Sequence, residues 1–220
     1  MIVATAVPSL GFDSDTVVSA AVAKQFFSLG YRWCARYVSR SAPEAGDLTP
    51  EEISTILAAG LALIVVQHAP EPNWTPNDAE GLAWGRAAVA NVEALGIPPG
   101  LSIAKDHEGV NVSGRASTVA AVSAAHINLW SAVVRTAEYE PLLYVGFDCG
   151  LDATQLYDNL TPTRYWKSAS NVPTPVKRGY CMEQLNINQT RVVDGQPFSY
   201  DEDVIMADAL GGLPKWAVGG

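Results

Sequence analysis

Short apolar runs alternate with amphipathic stretches from one end of the chain to the other, separated by clusters of Gly, Pro, Asp and Ser. That rhythm predicts an α/β fold with parallel strands. The first apolar segment ends in Gly11-Phe12-Asp13, and Ser14 or Asp15 then caps a helix running to about Leu29 and closed by Gly30. A strand follows at residues 31–38. Thr49 caps the next helix, with Pro50 at its first position, Glu52 placed for a capping box, and Gly60 at its end. Residues 61–68 are too continuously apolar for a half-exposed strand and read as a strand buried on both faces.

The alternation continues with a helix from Thr75-Pro76 to Gly96, a strand at 101–108, and a long helix from about Arg115 to Ala137. Further strands are predicted at 141–146, 165–168 and 180–185, with a short helix at 151–159. The polar segment 186–200 breaks the rhythm and suggests a hairpin or an excursion, before an eighth strand at 201–205. Eight strands in alternation predict a compact TIM-like (β/α)8 barrel forming a single domain over residues 1–220. An open doubly wound sheet is disfavoured because no GxGxxG or GxxxxGK[ST] follows any strand.

At 220 residues and 48% hydrophobic, the chain has ample core material. A net charge of −9 argues against a nucleic-acid partner, which would require a basic surface. The apolar runs break within about ten residues, short of a membrane span, so no membrane insertion is expected. The start of the chain lacks the features of a secretory signal. The expectation is synthesis in the cytoplasm, with any delivery outside by lysis, a phage particle or a secretion device. Cys34, Cys149 and Cys181 form no CxxC pair and lie near no histidine at ligand spacing, so neither a metal site nor a cofactor is expected.

The chemistry concentrates in acids. Asp106 and Glu108 lie two apart at the end of a strand, so both carboxyls emerge on one face, with Ala104 and Ser102 behind them. Asp13 ends the first strand, and Asp201 and Asp203 belong to the eighth, which neighbours the first in a closed barrel. Glycoside cleavage requires one protonated acid and a second carboxylate, and crowding raises the pKa of at least one of them. Arg36, Tyr37, Gln67, His68, Tyr144, Trp166 and Gln184 also fall at strand ends and are candidates for contacting a sugar.

These residues resemble a glycoside-hydrolase-like family formerly catalogued as a domain of unknown function, with Tat-exported mycobacterial relatives, and through it the family 25 lysozymes. The resemblance rests on Gly11-Phe12-Asp13, Arg36-Tyr37, Leu48-Thr49 with Glu52, Ala59-Gly60-Leu61, Leu95-Gly96-Ile97-Pro98, Tyr200-Asp201-Glu202-Asp203, and Leu210-Gly211-Gly212-Leu213-Pro214. It implies that Asp106-His107-Glu108 matches an Asp-x-Glu motif, with the glutamate as general acid and the aspartate assisting the intermediate. Asp13 and Asp201 then match the acids of the first and eighth strands. The family's Tyr-His on the third strand is here Gln67-His68, and its Trp-Gln on the seventh is Glu183-Gln184. The implied substrate is a glycan, with peptidoglycan the expected polymer. A catalytically reduced glycan-binding or structural module is the alternative.

Overall fold

The computed structural model describes residues 1–219. In chain order its elements are β1 (Ile2–Ala4), β2 (Ser9–Asp13), α1 (Ala20–Ser28), β3 (Trp33–Val38), α2 (Pro50–Ala58), β4 (Ala62–Gln67), α3 (Asp78–Ala94) and β5 (Ser102–His107). Then follow α4 (Ala116–Thr136), β6 (Glu140–Val145), α5 (Ala153–Asp158), β7 (Tyr165–Lys167), β8 (Met182–Val193), β9 (Gln196–Ile205) and β10 (Lys215–Ala217). Strands β2 to β8 are parallel neighbours in sequence order, and β9 pairs antiparallel with both β8 and β2. The result is a closed eight-stranded barrel of TIM-like type.

The barrel departs from regular (β/α)8 alternation in its last third. The polar run 186–200 is no excursion: it is the outer part of a long hairpin whose two-residue turn, Asp194-Gly195, has positive φ at both positions (49° and 76°). The eighth barrel strand therefore runs downwards rather than parallel to its neighbours. Between β7 and β8 the chain is irregular, and β10 pairs with β1 and with the lower end of β4. Trp216 of β10 closes the barrel interior from below, buried with Trp33, Ile64, Leu142 and Met182.

Strand alternation divides the core into layers. Trp33, Ala35, Ile64, Val66, Ala104 and Leu142 fill the interior, whereas Cys34, Leu63, Val65 and Ile103 pack outwards. Gly11 is required opposite Trp33, because a Cβ there would lie 2.0 Å from the indole. All three cysteines are buried and free.

Two helix starts differ from the sequence expectation. Helix α1 is capped by Ser19, not Ser14 or Asp15, so residues 14–18 are free to form a loop at the barrel mouth. Helix α3 is capped by Asn77, two residues beyond Thr75. Thr49 caps α2 as expected, but Glu52 completes no capping box; its carboxylate turns inwards to Arg36. Helix α4 does reach the length and apolarity of a membrane span, contrary to the sequence expectation; half of it is buried, and it packs on α3 and β6.

Candidate active site

The last inward positions of β5 and the residue just beyond it carry the two acids. Asp106 is buried at the mouth, and its Oδ1 has no hydrogen-bond partner among the described residues. Burial, then the charge of Glu108, raises its pKa well above the ordinary carboxylate value. Glu108 is half-buried, and burial followed by the charge of Asp13 raises its pKa also. Its side chain occupies the space above Gly146, where a Cβ would lie 2.2 Å from Glu108 Oε2. From outside the barrel, Trp74 Nε1 donates to the Glu108 carbonyl at 2.7 Å, fixing the backbone that carries the acid.

Across the mouth, antiparallel pairing places Asp13 directly beside Asp201. This register corrects the sequence reasoning: residues 201–203 at the start of a parallel eighth strand would have lain at the barrel floor. Asp13 accepts from the Tyr37 hydroxyl at 2.8 Å and from Gln184 Nε2 at 3.0 Å. The same Gln184 amide donates to Asp201 at 2.8 Å, while its oxygen accepts from Tyr144 and from the Ala169 N–H. Burial, then the Asp201 charge, raises Asp13 to about 6. Asp201 accepts from the Asn188 N–H at 2.6 Å, and burial raises its pKa.

Asp203 lies deeper, fully buried, accepting from Trp166 Nε1 at 3.0 Å, while its Oδ2 has no hydrogen-bond partner among the described residues. Burial, then the Asp13 charge, holds the pKa of Asp203 well above the usual carboxylate range. Asp13 is thus held by two donors, Tyr37 and Gln184.

The open cleft has a volume of about 440 Å³ and is lined by Asp13, Tyr37, His68, Asp106, Glu108 and Asp201 among the nominated residues. His68 stacks on Tyr37 with ring centroids 4.6 Å apart. Arg36 and Gln67 do not reach it, since each is adjacent to an inward-facing residue and must point to the helices. Arg36 is fully buried against Glu52 at 2.6 Å and donates to Ser14 and Gly46 carbonyls. Gln67 bridges the Trp84 carbonyl and Trp130 Nε1. Trp166 and Asp203 are core residues beneath the cleft, and Tyr144 and Gln184 act as its supporting layer.

Ser14, Asp15, Pro70, Glu71, Asn188, Ser199 and Tyr200 line the cleft without having been nominated. Glu71 could have been found from its place just after the third predicted strand. Asn188 and Ser199 were hidden in the segment whose hairpin pairing the sequence left open.

Behind β5, Lys105 is buried between Trp84 and Trp74, its Nζ 5.0 Å and 5.6 Å from the ring centroids. Burial lowers its pKa to about 7, with the Asp106 charge opposing. His107 points away from the acid pair, its Nε2 3.1 Å from the Cys149 carbonyl. Among the described residues no cluster of three or more His, Cys, Asp or Glu is arranged to hold a metal ion.

Residues 24–205 match the family described as Rv2525c-like, glycoside hydrolase-like domain. No curated protein matches the chain. Among solved structures, the chain is similar to the Tat-secreted protein Rv2525c of Mycobacterium tuberculosis, crystallised with L-tartrate (17% identity, TM-score 0.66, covering 90% of this chain and 94% of that one). It is similar also to the catalytic domain of endolysin ply40 from bacteriophage P40 of Listeria monocytogenes (13%, 0.60, 92% and 95%). A family 25 glycosyl hydrolase from Bacillus anthracis shares the fold as well (11%, 0.55, 90% and 88%).

Proposed function

The chain belongs to the Rv2525c-like, glycoside hydrolase-like domain family, and from that premise we propose that it is a muramidase-type glycoside hydrolase acting on peptidoglycan. Glu108 is the general acid, and Asp106 is the assisting carboxylate. The observation that carries this reading is the pairing of Asp106 and Glu108 on one face of β5, open to a cleft whose far wall is Asp13 and Asp201.

The division of labour follows from surroundings. Glu108 is the more accessible of the pair, and burial shifts its pKa upwards, the direction that a general acid serving the departing glycosidic oxygen requires. Asp106 sits deeper with an unpartnered oxygen, and a positively charged sugar centre forming beside it as the bond breaks favours its ionised form against the burial that raises its pKa, while water completes the hydrolysis. Tyr37 and Gln184 hold Asp13 in place as a third carboxyl at the reacting centre. The polymer lies outside the cytoplasm, and the Tat secretion of Rv2525c supports the same location for this chain.

A binding module is the second reading, favoured by Glu183-Gln184 where the lysozyme pattern has Trp-Gln, which removes an aromatic sugar platform. Purified peptidoglycan treated with the protein, reduced with borohydride and resolved by mass spectrometry separates the two. Hydrolysis of the proposed kind yields soluble fragments ending in reduced N-acetylmuramic acid. Sedimentation of intact protein with an uncut polymer supports the binding module instead.

A further inference from the structure

Six of the fourteen residues lining the cleft are acids: Asp13, Asp15, Glu71, Asp106, Glu108 and Asp201. No Lys or Arg lines it, and His68, the one basic side chain present, has its pKa lowered by burial. Asp15 and Glu71 are exposed on the rim and make no ion pair with any described residue. Lys105, next to Asp106 in sequence, faces away between two tryptophans.

Such a wall is selective by charge. Glycans carrying uronate or phosphate groups are repelled, and a low-dielectric cleft magnifies that repulsion. An acetamido group offers one N–H donor but brings a carbonyl acceptor against carboxylates. A free 2-amino group, once protonated, offers three donors and a positive charge, and the surrounding carboxylates favour that form. Asp106 Oδ1, buried and without a donor, extends the unmet demand for donors or positive charge to the cleft's interior, where the reacting sugar lies.

We propose that the cleft selects glycans whose hexosamines carry free amino groups, that is, N-deacetylated cationic amino sugars, with Asp15 and Glu71 receiving the ammonium groups at the rim. This rests on the glycan-hydrolase reading above and narrows its substrate class. The ammonium groups lie in sugars flanking the cleaved bond, leaving Asp106 and Glu108 to the reacting one.

The test compares one peptidoglycan preparation in two forms, fully N-acetylated and enzymatically N-deacetylated, with release of reducing ends as the readout. The wild type is expected to cleave the deacetylated form about tenfold faster. That preference falls towards unity in Asp15→Asn/Glu71→Gln and at high salt, which screens exposed charges. Equal or faster cleavage of the acetylated form overturns the amino-sugar inference while leaving the hydrolase reading in place. If neither form is cleaved, the hydrolase reading fails, and titration calorimetry with glucosamine tetraose and N-acetylglucosamine tetraose decides the charge preference separately. Tighter, salt-sensitive binding of the amine upholds it, and equal binding or none overturns it.

Discussion

At Glu108 a single missing Cβ decides whether the acid fits. Gly146 follows β6 beside it, and a methyl group there would lie 2.2 Å and 2.4 Å from Glu108 Oε2 and Cβ, so the acid must move. Gly146→Ala is therefore expected to lower kcat by about 100-fold, the scale of an ångström-level misplacement, with an unchanged circular dichroism spectrum. Wild-type kcat in a folded variant would remove Glu108 from the chemistry. Asp13 and Asp203 make a second residue-scale case, because burial raises the pKa of both and the Asp13 charge raises that of Asp203 further. Which acids share a face was legible from spacing two apart. Nominating Arg36 beside Tyr37 and Gln67 beside His68 overlooked the same alternation, by which one of each pair must leave the cleft.

Among the elements, the β2–α1 loop and α2 depend on one buried ion pair. Arg36 joins Glu52 and the carbonyls of Ser14 and Gly46, while Glu52 also accepts from the Val18 N–H at 2.7 Å. Removing one partner strands a buried charge, so Arg36→Met is expected to cost about 3–5 kcal/mol in urea unfolding. It also loosens the loop carrying Asp15. Loss of less than about 1 kcal/mol would show that the pair is not what anchors the loop. The parallel strands and their helices were legible because apolar runs mark them directly, although the caps of α1 and α3 lie later than the sequence indicated. The downward course of β9 was not, since residues 201–205 alone say nothing about direction. The Asp194-Gly195 turn was the available signal.

Over the whole molecule, the acids of the mouth set an unusual dependence of stability on pH. Asp13 ionises near 3.8 in the unfolded chain and near 6 in the fold, and Asp106 and Asp203 are shifted in the same direction. Between those values the folded state binds more protons, so this contribution falls as pH rises, by up to about 3 kcal/mol for Asp13. Asp203→Asn removes one buried ionisable group at nearly unchanged volume. Its stability relative to wild type should increase from pH 4 to pH 7 in urea melts; parallel curves would mean that Asp203 carries no shifted proton. The closed barrel was legible from its eight strands, but the depth of each acid was not, because burial depends on closure and on β9's direction.

The central claim is that Glu108 supplies the proton for glycan cleavage. The most direct test is the rate of reducing-end release from purified glycan strands by wild type and Glu108→Gln, at equal folded concentration and mildly acidic pH. The account predicts a loss of at least about 100-fold, the lower end for removal of a general acid. Equal rates from the two proteins would contradict it.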